Sequence, residues 1–307
     1  MTRVIGLGCR LNIAESERIG ALLAGRGDRV VINSCSVTAE AVRHTRRTIR
    51  RARRAHPHAR LLVTGCAVET ERTALLAMPQ VDGLVPNARK LLPASYGVKD
   101  WSPVRVATRT RAFVAIQNGC DHSCTFCIIP RGRGPSRSLP VEAAFREIDE
   151  HLGRGAGEIV LTGVDLTSWG TDLPGAPALG RLVQAILDHA PQLARLRLSS
   201  LDGAEIDPLL FELLAGEPRV MPHLHLSLQH GHDLILKRMK RRHNRAQAFA
   251  LVGRLHERRP DIAIGADLIA GFPTVSDDHH AATLSLVRAS RRVPRPAPPL
   301  ALGRAAA

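Results

Sequence analysis

The chain has 307 residues, 44% of them apolar, enough to build two domains with real cores. Nothing in it resembles a secretory signal and no apolar run approaches membrane length, which excludes the secreted and membrane-spanning classes and points to a soluble, globular, cytoplasmic protein. A formal net charge of +15 and a pI near 11.0 favour a polyanionic partner, nucleic acid above all, while 3% aromatic residues argue against a base-stacking platform.

Three short β-type runs open the chain, at 3–7, 29–32 and 60–64, separated by helix-length segments at 13–23 and 38–55. This βαβαβ pattern predicts a parallel sheet, whose ligand site belongs at the carboxyl ends of its strands. A cysteine follows each run, Cys9, Cys35 and Cys66, so three thiols distant in sequence are expected to converge on one edge. Within 41–54, Val42, Thr45, Ile49 and Ala52 share one helical face, and Arg43, Arg46, Arg47, Arg50, Arg51 and Arg54 recur on the opposite one. No acidic residue is interleaved, so a phosphate backbone explains the stripe better than helix stabilisation does. The plainer alternative is a solvated face in an arginine-rich proteome.

Beyond about Trp101 the pattern restarts, with strand-like runs at 112–116, 158–162, 196–199, 223–228 and 262–269 and helical stretches at 141–152, 179–190 and 245–258. Such βα units predict a parallel sheet curved toward a partial barrel, with active groups at the carboxyl ends of its strands. The first strand leads into Gly119-Cys120-Asp121-His122-Ser123-Cys124-Thr125-Phe126-Cys127. Three thiolates on one tight loop are the right number to hold a four-iron four-sulfur cube by three corners, leaving the fourth iron open. Zinc on three cysteines plus His122 is the rival reading, although zinc pairs are usually CxxC twice over. Disulfides are disfavoured in a chain of this length without a secretory signal, and inert buried cysteine does not explain six placed this way. The basic segments 237–243 and 131–137 are expected to extend the positive surface toward the site.

These residues resemble a known family. The CxxxCxxC with Phe126, preceded by Gln117-Asn118-Gly119 and followed by Ile128-Ile129-Pro130-Arg131-Gly132-Arg133-Gly134, looks like the radical-SAM methylthiotransferases, as do Gly8-Cys9-Arg10-Leu11-Asn12, Asn33-Ser34-Cys35-Ser36-Val37-Thr38 and Thr64-Gly65-Cys66. The stretches 161–165, 222–229, 237–242 and 265–273 look most like the branch that modifies threonylcarbamoyladenosine beside the tRNA anticodon. The resemblance implies an α/β protein: an N-terminal βαβ parallel-sheet domain (1–100) carrying an auxiliary cluster, then an incomplete (β/α)6-type radical-SAM barrel (106–290). It implies two 4Fe-4S clusters, one on Cys120, Cys124 and Cys127 and one on Cys9, Cys35 and Cys66, with S-adenosylmethionine as cosubstrate and tRNA as partner. An electron donor such as flavodoxin or ferredoxin is implied as well. The first cluster would cleave S-adenosylmethionine to a 5′-deoxyadenosyl radical that removes hydrogen from carbon 2 of the adenine, and the second would present the sulfur. By position, Phe126, Asp165, Ser199, Gln229 and Ile269 are the candidates for lining the S-adenosylmethionine pocket.

The alternatives are the same chemistry on isopentenyl-adenosine in tRNA or on an aspartate of a ribosomal protein, and an inactive remnant or metal-stabilised RNA binder. From about Ser290 the resemblance ends in a Pro/Ala/Arg-rich stretch, 291–307, expected to be disordered. A frameshift or truncation is the expected cause, with the family's last barrel strand and its β-barrel RNA-binding domain absent.

Overall fold

The computed structural model describes residues 2–98, 110–290 and 303–304. In the N-terminal half, β1 (Thr2–Gly6) is followed by α1 (Arg10–Leu23), β2 (Arg29–Ser34), α2 (Ala39–Ala55) and β3 (Arg60–Gly65). Two short helices, α3 (Cys66–Thr70) and α4 (Arg72–Leu76), then lead to β4 (Gly83–Leu84). The four strands form one parallel sheet in chain order. Val31 and Leu62 pack with Ile19, Leu22 and Leu23 of α1, whereas Val30, Ile32, Leu61 and Val63 pack with Ile49 and Ala52 of α2. Cover on both faces is why β2 and β3 read as unbroken apolar runs rather than alternating ones. α2 starts where Thr38 Oγ1 accepts from the Ala41 amide at 3.1 Å, satisfying one of the orphan donors of the first turn.

The second half runs β5 (Arg111–Ala115), β6 (Gln117–Asn118), α5 (Ile129–Arg133), β7 (Arg137–Ser138), α6 (Val141–Leu152), β8 (Glu158–Thr162), α7 (Leu179–His189), β9 (Leu196–Leu198) and β10 (Ser200–Leu201). It continues with α8 (Pro208–Gly216), β11 (His223–Gln229), α9 (Asp233–Arg238), α10 (Arg245–Arg258), β12 (Ala263–Ala270), α11 (Asp277–Ser290) and β13 (Gly303–Arg304). Parallel ladders join β5-β8-β9 and β10-β11-β12-β13, and Ser199 alone separates β9 from β10, so the strands form an incomplete βα barrel. β11 alternates: Leu224, Leu226 and Leu228 enter the core shared with the helices, and His223, His225, Ser227 and Gln229 take the opposite face.

Two expectations are adjusted here. The domain boundary expected between 100 and 106 lies outside the described residues. Of the expected tail, Gly303–Arg304 is not coil: it pairs in parallel with Ile269–Ala270 and takes the sixth strand position. The unpaired N–H and C=O groups along the edge of β12 are a template that a passing backbone satisfies. The other residues of 291–307 lie outside the described set.

At the end of β11, His230 is 2% exposed, and its Nδ1 accepts from the His232 amide at 3.1 Å. Burial, then the neighbouring His232, His279 and His280, push its pKa from 6.5 down to about 4. The unfolded chain therefore binds the proton first, so this stabilisation is complete above pH 6.5 and is lost as pH falls toward 4, by about 3 kcal/mol for a shift of this size. His230→Asn, which keeps an acceptor for the amide, is expected to flatten the fall in urea midpoint between pH 6.5 and 5. An unaltered slope would remove His230 as its origin.

Candidate active site

The cysteine loop is pinched at its base, where β6 and β7 pair antiparallel, Gln117 with Ser138 and Asn118 with Arg137. Gly119 has φ +78°, and a Cβ there would lie 1.8 Å from the Pro135 carbonyl oxygen, so only glycine fits before Cys120. The Cys120 amide donates to Gly134 O at 3.1 Å, the Ser136 amide to Asp121 Oδ1 at 3.0 Å and the Cys127 amide to Cys124 O at 3.1 Å. Gln117 joins this loop to the end of β8: its Nε2 donates to Gly119 O at 2.8 Å, and its Oε1 accepts from the Val164 and Asp165 amides at 3.0 and 2.9 Å. Burial, then the Asp165, Cys127 and Cys124 charges, push the Cys120 thiol up to about 12, and burial pushes Cys127 up as well. Bare thiolates are thus unfavourable together here, which is the state of a ligand set that needs a cation.

Asp165 lies against this loop. Its Oδ2 is 3.8 Å from Cys120 Sγ and 2.7 Å from His122 Nε2. His122 Nδ1 accepts from Arg242 at 2.9 Å, whereas its Nε2, though near Asp165, makes no hydrogen bond among the described residues. Among the described residues the candidate metal-ligand group at His122 is Cys120, His122 and Asp165, whose ligand atoms lie within 4.8 Å of one another; the three cysteines plus His122 do not form such a group. Cys124 Sγ accepts from Arg241 Nη1 at 3.5 Å.

Of the other pocket candidates, Ser199 stands between β9 and β10 with its Oγ buried and without a hydrogen-bond partner among the described residues. Gln229 ends β11 in a left-handed conformation, φ +64°, where the register with β12 shifts, a strain characteristic of functional positions. Ile269 is half-buried near the end of β12, and Phe126 is half-buried on the cysteine loop. Asp165 contacts Cys120 directly; Ser199, Gln229 and Ile269 lie along the same strand edge, without hydrogen bonds to the cysteines among the described residues.

The second trio also occupies strand ends. Cys9 caps the start of α1 and is exposed, buried Cys35 follows β2, and buried Cys66 opens α3. Gly65 allows the last of these: its φ is +91°, and a Cβ would sit 2.4 Å from Ser34 O. Burial, then the charges of Cys66 and Cys9, push the Cys35 thiol up. All six cysteines are free. α5, which follows Cys127 directly, packs on α3: a Cβ on Gly132 would be 3.2 Å from Cys66 Cβ, and Asn87, its Nδ2 4.0 Å from Cys66 Sγ, donates to Gly132 O. The two trios therefore lie on adjoining elements.

What holds the halves together was not legible in the sequence. Glu15 of α1 accepts from Lys90 Nζ at 2.5 Å and from Arg133 Nη1 at 3.0 Å, with side chains no more than 2% exposed. Burial opposes ionisation of Glu15, but Lys90 and Arg133 overcome it and hold the carboxyl below its usual range. Arg133, read from sequence as positive surface, is thus a buried interdomain link. Arg241 and Arg242 are corrected in the same way: both pair with Asp202, at 2.7 and 2.8 Å. On α2, Arg43 and Arg47 pair with Glu40 at 2.8 and 2.6 Å and Arg46 with Glu71 at 2.8 Å, because Glu40 precedes the stripe and Glu71 reaches it from the loop after α3. Arg50, Arg51 and Arg54 are exposed, without an ion pair among the described residues.

Residues 114–287 match the radical SAM superfamily, and residues 2–86 match the uncharacterized protein family UPF0004. A threonylcarbamoyladenosine tRNA methylthiotransferase, MtaB, of Rickettsia prowazekii is 42% identical over 92% of this chain and 72% of that protein. The chain belongs to the radical-SAM methylthiotransferase family. A tRNA-2-methylthio-N(6)-dimethylallyladenosine synthase of Chloroflexus aurantiacus is 35% identical, over 91% of this chain and 65% of that protein. The fold is shared with the radical S-adenosylmethionine methyltransferase TsrM of Kitasatospora setae, TM-score 0.68 at 15% identity, over 94% of this chain and 72% of that one. As a methylthiotransferase-family enzyme the chain uses S-adenosylmethionine and a 4Fe-4S cluster. The Cys120 loop fits such a cluster: its thiols are free, those of Cys120 and Cys127 are disfavoured as bare anions, and Ser199 leaves a buried polar atom unfilled on the same strand edge.

Proposed function

We propose that this chain transfers a methylthio group to carbon 2 of N6-threonylcarbamoyladenosine next to the anticodon of tRNA, using two 4Fe-4S clusters and an electron donor such as flavodoxin or ferredoxin. The observation that carries the reading is the presence of two free thiol trios on adjoining elements, α3 and the loop leading into α5. Its support for the nucleoside is the name of the Rickettsia relative; the Chloroflexus relative favours a second reading, the same chemistry on dimethylallyl-adenosine.

When bound, the clusters and S-adenosylmethionine supply the electron, the hydrogen-abstracting radical and the sulfur. Cys120, Cys124 and Cys127 would hold one cluster and Cys9, Cys35 and Cys66 the other. Arg241 donates to the Cys124 sulfur and so offsets part of its charge, as Asn87 can at Cys66. Asp165, Ser199 and Gln229 offer polar atoms to the amino acid and ribose of S-adenosylmethionine, and half-buried Phe126 and Ile269 offer apolar walls that exclude water. Mass spectrometry of tRNA nucleosides from a strain with and without the chain tests the reading. Loss of the methylthio-threonylcarbamoyl product on deletion is expected, and an unchanged level would refute it.

Arg50, Arg51 and Arg54 are the members of the stripe left for tRNA. Replacing all three with Gln is expected to reduce the slope of log K against log salt by about 2 to 3, close to one unit per lost phosphate contact. An unchanged slope would assign the stripe to solvated surface.

A further inference from the structure

The inner face of the barrel carries cations that the site described so far does not use. The core residues Ala112, Ile159, Leu196 and Leu224 alternate along their strands with Arg111, Glu158, Arg197 and His223, which therefore share the sheet face turned away from the helices. Glu158, its side chain 7% exposed, takes Arg111 Nε at 2.8 Å and Arg197 Nε at 2.7 Å, with Arg195 at 3.7 Å. One carboxylate is thus surrounded by three guanidinium groups. The other acid nearby, Asp267, is 63% exposed and lies 3.6 Å from His225 Nε2. His223 Nδ1 is buried with no hydrogen-bond partner among the described residues.

Arg10, the residue after Cys9, adds to this excess. It is exposed and makes no hydrogen bond or ion pair among the described residues. Arg10 opens α1, which packs on β5, the strand that carries Arg111. Positive charge gathered against its own repulsion, with too few acids to balance it, is complementary to an anion.

We propose that Arg10, backed by Arg197, Arg111 and His223, receives the carboxylate on the N6 substituent of the target adenosine and so selects a threonylcarbamoyl over a prenyl group. This rests on the methylthiotransferase reading above. Carbon 2 and N6 flank N1 on one edge of the purine, so a base that offers carbon 2 to the Cys9 trio turns its N6 substituent to the side of that trio, where Arg10 stands. A neutral prenyl group would leave Arg10 without a counter-charge, and a site built for a charged group discriminates against an analogue that lacks it.

The test is binding of the full chain, kept anaerobic, to anticodon stem-loops bearing threonylcarbamoyladenosine, its methyl ester or isopentenyl-adenosine, followed by fluorescence anisotropy. The free carboxylate is expected to bind about tenfold or more tightly than the ester, as for a charge-assisted hydrogen bond. Arg10→Gln should bring that ratio close to one, and Arg10→Lys should retain most of it. A preference for the carboxylate that survives Arg10→Gln would overturn the subsite while leaving the substrate reading intact. Equal weakening of all loops by Arg10→Gln would make Arg10 a phosphate contact and also overturn it. A wild-type preference for the isopentenyl loop would overturn the substrate reading itself.

Discussion

Cys66→Ala is expected to lower the iron content of the anaerobically reconstituted chain from about eight atoms to about four, one cube of the two. Methylthio transfer should vanish while reductive cleavage of S-adenosylmethionine continues, because the Cys120 loop is untouched. Cys120→Ala should give the reciprocal result, about four irons and no cleavage. Cys66 is 3% exposed at the start of α3, and among the described residues its sulfur has no hydrogen bond closer than the 4.0 Å approach of Asn87. The alanine therefore removes a ligand with little effect on packing. Iron that stays near eight in Cys66→Ala, with product still formed, would show that Cys66 holds no cluster.

Glu15→Gln is expected to cost about 3–5 kcal/mol of stability, read from denaturant unfolding of the anaerobic apoprotein, because it leaves Lys90 and Arg133 charged and uncompensated in the interface between the halves. Burial decides the magnitude. Arg258 and Glu212 form a pair with nearly the same geometry, 2.8 Å, but with side chains 56% and 55% exposed, so Glu212→Gln should change stability by no more than about 0.5 kcal/mol. Equal losses at the two sites would contradict the view that Glu15 locks the domains. Because Arg133 follows Gly132, which packs on Cys66, Glu15→Gln should also weaken iron retention by the N-terminal trio.

The elements that position the site were legible because their signals are local. Helices expected at 141–152 and 245–258 coincide with Val141–Leu152 and Arg245–Arg258, and the strand expected at 158–162 is Glu158–Thr162. Cys9, Cys35 and Cys66 could be placed at strand ends because each follows a β-type run, and the structure has them there. Partnership across the fold was not legible. Glu15 meets Lys90 across 75 residues and Arg133 across 118, and Arg241 and Arg242 find Asp202 across 39 and 40. A run of like charge looks like free surface until the fold brings a distant carboxylate to it, which is why half the α2 stripe and much of 237–243 proved to be paired. Gln117 was quoted for its place beside the cysteine motif, but its role in tying that loop to β8 depends on a turn 47 residues away.

The proposed function needs two iron clusters on the two thiol trios of this chain. Anomalous diffraction at the iron edge from crystals of the anaerobically reconstituted protein tests it most directly. Two peaks are expected, one among Cys9, Cys35 and Cys66 and one among Cys120, Cys124 and Cys127, on either side of the contact between α3 and α5. A single peak at the Cys120 loop, with ordered but unligated sulfurs at Cys9, Cys35 and Cys66, would contradict it.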